Sequence, residues 1–192
     1  AADPTAHPPP PAEQPQPVRI LKTSVSDSRP QWTKQSFFEK DGNLYFTGGF
    51  TNGADYALSV RCANAEALKV ALQSISQFVR AEFSEYFQGS NTEADSIDKY
   101  ITDGIATLTD RIHIQGFCQK EIFYEQVVLP ESRSVTYNVF VAMEMSQTDY
   151  QKAKIDAVKK LRDDLSAAGE KEAKQKAEKL LESLRQQARK AI

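Results

Sequence analysis

The stretch from Ala54 to Gln88 constrains the fold of this chain more than any other, because it predicts one long amphipathic helix. Apolar residues recur at helical spacing on a face that we centre on Leu68, and neither Gly nor Pro interrupts the run. Small side chains dominate the first half of this face up to Ala71, and large ones dominate the second half from Ile75 onward. Such a face is not stable in water by itself, so the rest of the chain is expected to cover it.

A predicted strand supplies part of this cover. Residues Asn43–Phe50 alternate between apolar and polar, with Phe46 on the apolar face. Gly48 lies on the same face, where the missing side chain allows the alanine half of the helix to approach closely. The turn-rich stretch before this strand carries Trp32, the only tryptophan, which is expected to plug one end of the core.

A predicted hairpin supplies the remaining cover. Residues 112–128 and 135–145 alternate in the same way and are separated by a proline-containing turn, which predicts two antiparallel strands. Tyr137 lies on the apolar face of the second strand. A capping pattern at Thr92 and Asp95 predicts a second helix before the hairpin, ending at about residue 110.

The C-terminal region predicts one long charged helix. Ser146 and Asp149 form a second capping pattern, and an apolar stripe continues from there nearly to Ile192. After Gly169 the stripe is shifted by about one residue, which we interpret as a coiled-coil stutter in an extended helix. The distal half of so long a helix is expected to protrude, to dock on another subunit or to fray. Three leucines of the stripe are assigned to self-assembly: Leu165, Leu180 and Leu184.

The N-terminal region has a different composition. Residues 3–17 contain most of the prolines of the chain, so they predict an extended spacer. Residues 18–25 follow as an edge strand that pairs either within its own body or with a neighbouring molecule, and Val18, Ile20 and Leu21 are assigned to self-assembly. The chain begins Ala1-Ala2 without Met, which suits a removed secretion signal, and we expect an exported protein.

These features predict an α+β fold. We expect an antiparallel sheet of about three to four strands, packed on the alanine-rich helix and the second helix. The domain boundaries that follow are a proline-rich arm and edge strand over residues 1–25, an α+β sandwich over 26–150, and an extended amphipathic helix over 151–192.

The charge distribution is uneven although the formal net charge is only −2. Residues 146–192 contain 12 Lys and Arg against 8 Asp and Glu, while residues 1–145 contain 12 against 18. A basic tail on an acidic body indicates head-to-tail self-association or an anionic partner, and the alternative is a solvated helix with a mild bias. The sequence contains no basic patch interleaved with aromatic residues, so nucleic-acid binding is not predicted. No apolar run is long enough to predict a transmembrane segment.

No motif predicts an enzyme, a metal site or a cofactor. His7 and His113 each lack a ligand partner at metal-binding spacing. The acidic pairs Glu82/Glu85 and Asp95/Asp98 are interpreted as exposed helix faces rather than general acids and bases.

The two cysteines leave two alternatives open. Cys118 is predicted on the apolar face of its strand, and Cys62 on the flank of the long helix. A disulfide between them suits an exported protein, and two buried free thiols are the other interpretation.

An ordered set of features resembles one family of exported proteins. The set consists of Pro30-Gln31-Trp32, the strand with Gly48, the alanine-rich helix, the hairpin with Tyr124 and Tyr137, and Asp149-Tyr150 at the start of the last helix. Together these residues resemble the Lpp-twenty-type lipoproteins of Gram-negative bacteria. Relatives of that family include the flagellar basal-disc lipoprotein and the N-terminal domain of the flagellar H-ring protein.

The resemblance implies a non-catalytic α+β protein that builds rings or discs at the outer membrane. Our first hypothesis is therefore an exported structural protein that self-assembles into a ring, disc or filament at the outer membrane or cell surface, in the flagellar case as part of a basal disc. The alternative is a monomeric, tethered periplasmic module that binds cell-wall polymer or a protein partner.

Overall fold

The computed structural model describes residues 18–25, 28–87, 116–130 and 132–190. The proline-rich residues 3–17 and the second helix predicted from Thr92 lie outside the described residues. Five strands form one antiparallel sheet in the order β1-β4-β5-β3-β2. The strands are β1 Arg19–Thr23, β2 Phe37–Lys40, β3 Asn43–Gly53, β4 Cys118–Val128 and β5 Val135–Ser146. The predicted α+β class is thus confirmed, and the predicted hairpin is the antiparallel pair β4 and β5.

The prediction of three to four strands was too low because β2 lies in the stretch interpreted as turns. The tight turn between β2 and β3 consists of Asp41 and Gly42, both with positive φ. An Asp-Gly pair between two short aromatic runs is typical of a two-residue hairpin turn, so a signal for this strand was present in the sequence.

The helix α1, Tyr56–Phe87, packs across one face of the sheet and begins very close to it. A Cβ added at Gly48 would overlap the carbonyl oxygen of Ala63 and the amide nitrogen of Ala67, both backbone atoms of α1. Ala63 and Ala67 are fully buried against β5. The prediction that Gly48 admits the alanine half of the helix is therefore confirmed.

The buried face of α1 is centred one residue away from the predicted position. Leu68 is only half-buried, whereas Ala67 and Ala71 are fully buried. Contact with the sheet decides this rotation, because the small side chains lie where the backbones come closest. The other residues assigned to the core are Phe46 and Ile75, which are buried, and Trp32 and Tyr137, which are half-buried.

The C-terminal region is a helical hairpin, so the prediction of one extended helix was wrong. Helix α2 spans Gln147–Ala167 and is followed by Gly169, whose φ is +80°. Helix α3, Lys171–Lys190, packs back against α2. The amide of Glu170 donates to the carbonyl of Leu165 at 3.0 Å, and the Gly169 amide donates to Ser166. This pattern of hydrogen bonds with a left-handed glycine ends a helix, which is what the shifted stripe signalled.

The same hairpin corrects the assignment of three leucines to self-assembly. Leu165, Leu180 and Leu184 are only 1–2% exposed, in a core formed by α2, α3 and the second half of α1. Their side chains are therefore unavailable to another subunit. The start of α2 is as predicted, because the Ser146 hydroxyl accepts a hydrogen bond from the Asp149 amide at 3.0 Å and caps the helix.

Candidate functional site

Exposed apolar side chains lie on the edge strand β1 and just before it, at one end of the sheet. Val18, Ile20 and Leu21 are 56%, 52% and 46% exposed. β1 pairs antiparallel with β4 of its own chain, which is one of the two predicted pairings, and a bulge lies between Ile20 and Lys22. Just beyond β1, the Ser24 amide donates to the Tyr124 carbonyl at 3.0 Å. Of the three residues assigned to self-assembly, Ile20 and Leu21 thus lie on an anchored strand and Val18 lies just before it.

The edge strand β2 borders a groove at the opposite end of the sheet. The groove has a volume of about 680 Å³ and separates β2 from the start of α2 and the end of α3. Its walls include apolar side chains from all of these elements, and Phe37 at its rim is 43% exposed. The lining also includes Leu44, Glu39, Tyr150, Lys152, Lys154, Ile155 and Ala188.

A charged network lies on the sheet face that points away from α1. Glu125 of β4 accepts two hydrogen bonds from the guanidinium of Arg29, at 2.6 and 2.7 Å, and a third from the Asn138 amide at 3.2 Å. Asn138 also accepts from the backbone of Asn52, and the guanidinium lies 5.0 Å from the centre of the Phe140 ring. We call Arg29, Glu125 and Asn138 the Glu125 network.

The Glu125 network is suited to holding structure rather than to proton transfer. The hydrogen bonds from Arg29 hold the pKa of Glu125 below its ordinary value, although burial acts in the opposite direction. The same bonds raise the pKa of Arg29. A carboxylate that is 3% exposed and fully engaged in this way stays ionised and has no free oxygen for a substrate. The network instead fixes the segment before β2 onto the sheet.

A second polar group on the same face, the Tyr45 cluster, consists of Tyr45, Glu144 and Lys120. The Tyr45 hydroxyl donates to Glu144, and the Lys120 ammonium lies 3.5 Å from the other carboxylate oxygen. The hydrogen bond to Glu144 raises the pKa of Tyr45 to about 12, and the same bond lowers the pKa of Glu144. Tyr45 therefore stays protonated as a hydrogen-bond donor, while its ring stacks on Phe38 at 4.8 Å.

Lys154 lies on α2 between two aromatic rings. Its ammonium is 4.0 Å from the centre of the Phe78 ring and 4.8 Å from that of Tyr150, whose hydroxyl is 2.6 Å from the Ser74 hydroxyl. Burial lowers the pKa of Lys154, and burial also raises the pKa of Tyr150. The ammonium is held by cation–π contacts that join α2 to α1.

The two cysteines are free thiols, so the disulfide alternative is not realised in this structure. A register shift between Gln119 and Glu121 places Cys118 opposite Glu144, on the sheet face away from α1, whereas Cys62 lies on α1. Cys118 is exposed rather than on the apolar face, and the bulge is the reason. Cys62 is half-buried, so neither cysteine matches the alternative of two buried thiols.

The remaining candidates for chemistry are dispersed. Over the described residues, no group of three or more His, Cys, Asp or Glu side chains is arranged to hold a metal ion. His7, His113, Asp95 and Asp98 lie outside those residues, and Glu82 is half-buried on α1. In the same part of the chain, no helix is both long enough and apolar enough to traverse a lipid bilayer.

Comparisons with known proteins find no relative. No protein-family model matches the chain, and neither the curated proteins nor the solved structures contain a significant match. The family resemblance therefore stays a prediction, and the function has to be argued from the surfaces of this chain.

Proposed function

We propose that this chain is a non-catalytic building block that self-assembles into a ring, disc or filament. The observation that carries this proposal is the open five-stranded sheet with the apolar edge strand β1. An edge strand offers unpaired backbone groups to another chain, and monomeric proteins usually keep large apolar side chains off such edges. Ile20 and Leu21 on β1, with Val18 just before it, are therefore best explained as contacts with a second copy.

The polar groups of the described residues support a structural role. Glu125, Glu144 and Lys154 are charged groups with shifted pKa values, and each is engaged by neighbours of its own chain. An active site requires convergent polar groups that are left free for a substrate. The location that we propose, the outer membrane or cell exterior of a Gram-negative bacterium, rests on the resemblance to the Lpp-twenty-type lipoproteins alone.

The native mass of the full chain, measured by light scattering, tests the proposal. We expect a particle many times heavier than the 21.5 kDa chain. Ile20→Asp combined with Leu21→Asp should release smaller species, since charged side chains on an edge oppose strand pairing. Leu58→Asp is the matched control, because Leu58 is equally exposed but lies on α1. A wild-type monomer would contradict the proposal.

The alternative, a tethered binding module, is favoured by a second surface. A groove of about 370 Å³ between α2 and α3 is lined by Arg162, Arg185 and Arg189 together with Glu178 and Glu182. Such a surface suits an anionic polymer or an acidic protein. Salt separates the two functions, because binding to the arginines weakens steeply with ionic strength, whereas strand pairing keeps its backbone hydrogen bonds and apolar contacts.

A further inference from the structure

We infer that copies of this chain join head to tail, with β1 of one copy adding to the free edge of β2 in the next. This inference rests on the proposed self-assembly and names the two surfaces that meet. Within the described residues β1 pairs with β4 and β2 pairs with β3, so each has one side of its backbone facing away from the sheet. The two edges are at opposite ends of the strand order.

The strand directions allow this junction without any reversal of the copies. Four antiparallel steps separate β1 from β2, so the two edge strands run in the same direction. A copy displaced across the sheet then places its β1 parallel to β2 of its neighbour, and the sheet continues from one molecule to the next. Strand addition of this kind is a recurrent mode of recognition.

Charge opposes the competing junction, in which two β1 strands pair around a two-fold axis. Arg19 and Lys22 both lie on β1, so a pair of β1 strands would bring four cations onto one short ladder. Like charges on facing strands are destabilising. β2 carries one anion and one cation, Glu39 and Lys40, so it repels the basic strand β1 less than a second β1 does.

The faces of β1 and β2 that point toward α1 are complementary. Arg19 is in register with Val128 and Lys22 with Gln126, while Glu39 of β2 is in register with the buried Leu44. Extending the sheet brings the two cations of β1 to Glu39 at the mouth of the 680 Å³ groove. Their aliphatic stems would cover the exposed ring of Phe37.

The cations already present in the groove are compatible with this arrangement. Lys154 also lines the groove, and its ammonium is engaged by the rings of Phe78 and Tyr150. Lys152 lines the α2 wall of the groove, opposite the β2 wall that carries Glu39. Lys152 would oppose a basic strand, so Lys152→Glu is expected to strengthen the association.

On the faces that point away from α1, each edge carries one apolar side chain. Ile20 of β1 is in register with the buried Val127, and Phe38 of β2 is in register with Tyr45. In the extended sheet Ile20 lies on the same face as the half-buried Phe38. Lys40 ends β2 on that face, and β1 presents no cation there. One face of the junction is thus ionic and the other apolar.

Because β1 and β2 are different surfaces, the junction leaves one β1 and one β2 free in every dimer. A junction of this kind closes into a ring if the rotation between copies allows it and otherwise continues as a filament. The proposed ring, disc or filament is therefore a direct consequence of this pairing, whereas a two-fold β1 pair would stop at the dimer.

Charge reversal with rescue in the full chain tests the junction. Arg19→Glu with Lys22→Glu should lower the association constant about tenfold, and adding Glu39→Lys to the same chain should restore it, since opposite charges again face each other. Thermal unfolding of the dilute, dissociated protein should be unchanged, because all three side chains are exposed. Failure of Glu39→Lys to rescue would overturn the β1–β2 junction.

Cross-linking tests the same pairing independently. In a background with Cys62→Ser and Cys118→Ser, proteins carrying Arg19→Cys and Glu39→Cys are mixed and treated with a short bismaleimide. We expect a cross-link between the two variants and none when either is treated alone. A cross-link of Arg19→Cys with itself would favour the two-fold β1 pair and overturn the inference.

The outcomes separate the two proposals. A wild-type monomer in light scattering contradicts self-assembly and the junction together. A large particle without the mixed cross-link contradicts the junction alone, and the proposed function then stands with other surfaces in contact.

Discussion

The two faces of the sheet are stabilised in different ways. On the face toward α1, Gly48 lies directly under Ala63 and Ala67, and the contact consists of apolar side chains and close backbone. On the other face the Glu125 network and the Tyr45 cluster place charges and hydrogen bonds beside buried residues such as Phe123. The first face depends on volume, and the second depends on the protonation of a few groups.

The two faces should therefore be disrupted by different kinds of change. Close-packed surfaces do not tolerate a change of volume, and their stability varies little with pH. A buried, paired carboxylate contributes to stability only while it is ionised. Substitutions on the two faces should therefore separate by the size of their effect and by its dependence on pH.

The largest effect is expected from Gly48→Ala. Its new Cβ would overlap backbone atoms of α1, which cannot move without shifting the whole helix, so the free energy of unfolding should fall by about 4 kcal/mol. The matched control is Gly49→Ala on the opposite face, where only the Phe140 ring has to shift, and about 1 kcal/mol is expected. Urea unfolding at pH 7 measures both, and equal losses would contradict the close approach.

The next effect concerns the helical hairpin that covers the second half of α1. Leu165→Ala removes a side chain from the core of α1, α2 and α3, and it should lower the free energy of unfolding by about 3 kcal/mol. The native mass should stay unchanged, because Leu165 is not on the surface. A smaller particle with an unaltered free energy of unfolding would indicate instead that Leu165 takes part in self-assembly.

The third prediction concerns Glu125. Glu125→Gln removes the charge that Arg29 binds and should cost about 2 kcal/mol at pH 7, a figure reduced by the partial exposure of Arg29. Because the pKa of Glu125 is lowered in the folded protein, its contribution is present above the ordinary pKa of 4.5 and is lost as the pH falls through the lowered value.

The difference between wild type and Glu125→Gln should therefore shrink below about pH 4.5 in chemical unfolding. The loss caused by Gly48→Ala should not change over the same range. Glu66→Gln, in the exposed pair with Lys69, is the control, with an expected cost of about 0.5 kcal/mol or less. A pH-independent cost of Glu125→Gln would contradict the charged nature of this face.

The smallest effect is expected from Tyr45→Phe, and it is measured by the absorbance of the tyrosines. The chain has seven tyrosines, and the hydrogen bond to Glu144 raises the pKa of Tyr45 to about 12. This bond stabilises the fold below the ordinary pKa of 10.0, and its contribution is lost as the pH rises through about 12. In an alkaline absorbance titration, Tyr45→Phe should lack the phase near pH 12, whereas Tyr150→Phe should retain it.

Local features of the sequence predicted much of the α1 face. The Asn43–Phe50 alternation, the missing side chain at Gly48 and the Ser146 cap each depend on residues a few positions apart, and each is present in the structure. The signal of β2 was equally local, in Asp41-Gly42, but the strand is short and the pair was interpreted only as a turn. Periodicity alone placed α1 within one residue of its true rotation.

The opposite face was not predictable in this way. Arg29 and Glu125 are 96 residues apart, and nothing in the neighbourhood of either indicates the other. The register shift between Gln119 and Glu121 moves Cys118 to the other face of the sheet, and a single-residue bulge leaves no reliable trace in an alternating pattern. The candidate junction likewise depends on which strands become the edges.

The sequence by itself determined the α+β class, the identity of α1 and the close approach at Gly48, because periodicity, capping and the volume of a side chain act over a few residues. Only the tertiary structure decided that the chain folds back at Gly169 and that Leu165, Leu180 and Leu184 are buried within it. It also decided that β1 and β2 are the free ends of the sheet. The physical reason is that burial and strand order depend on contacts between distant segments, whose free energies are summed only in the complete fold.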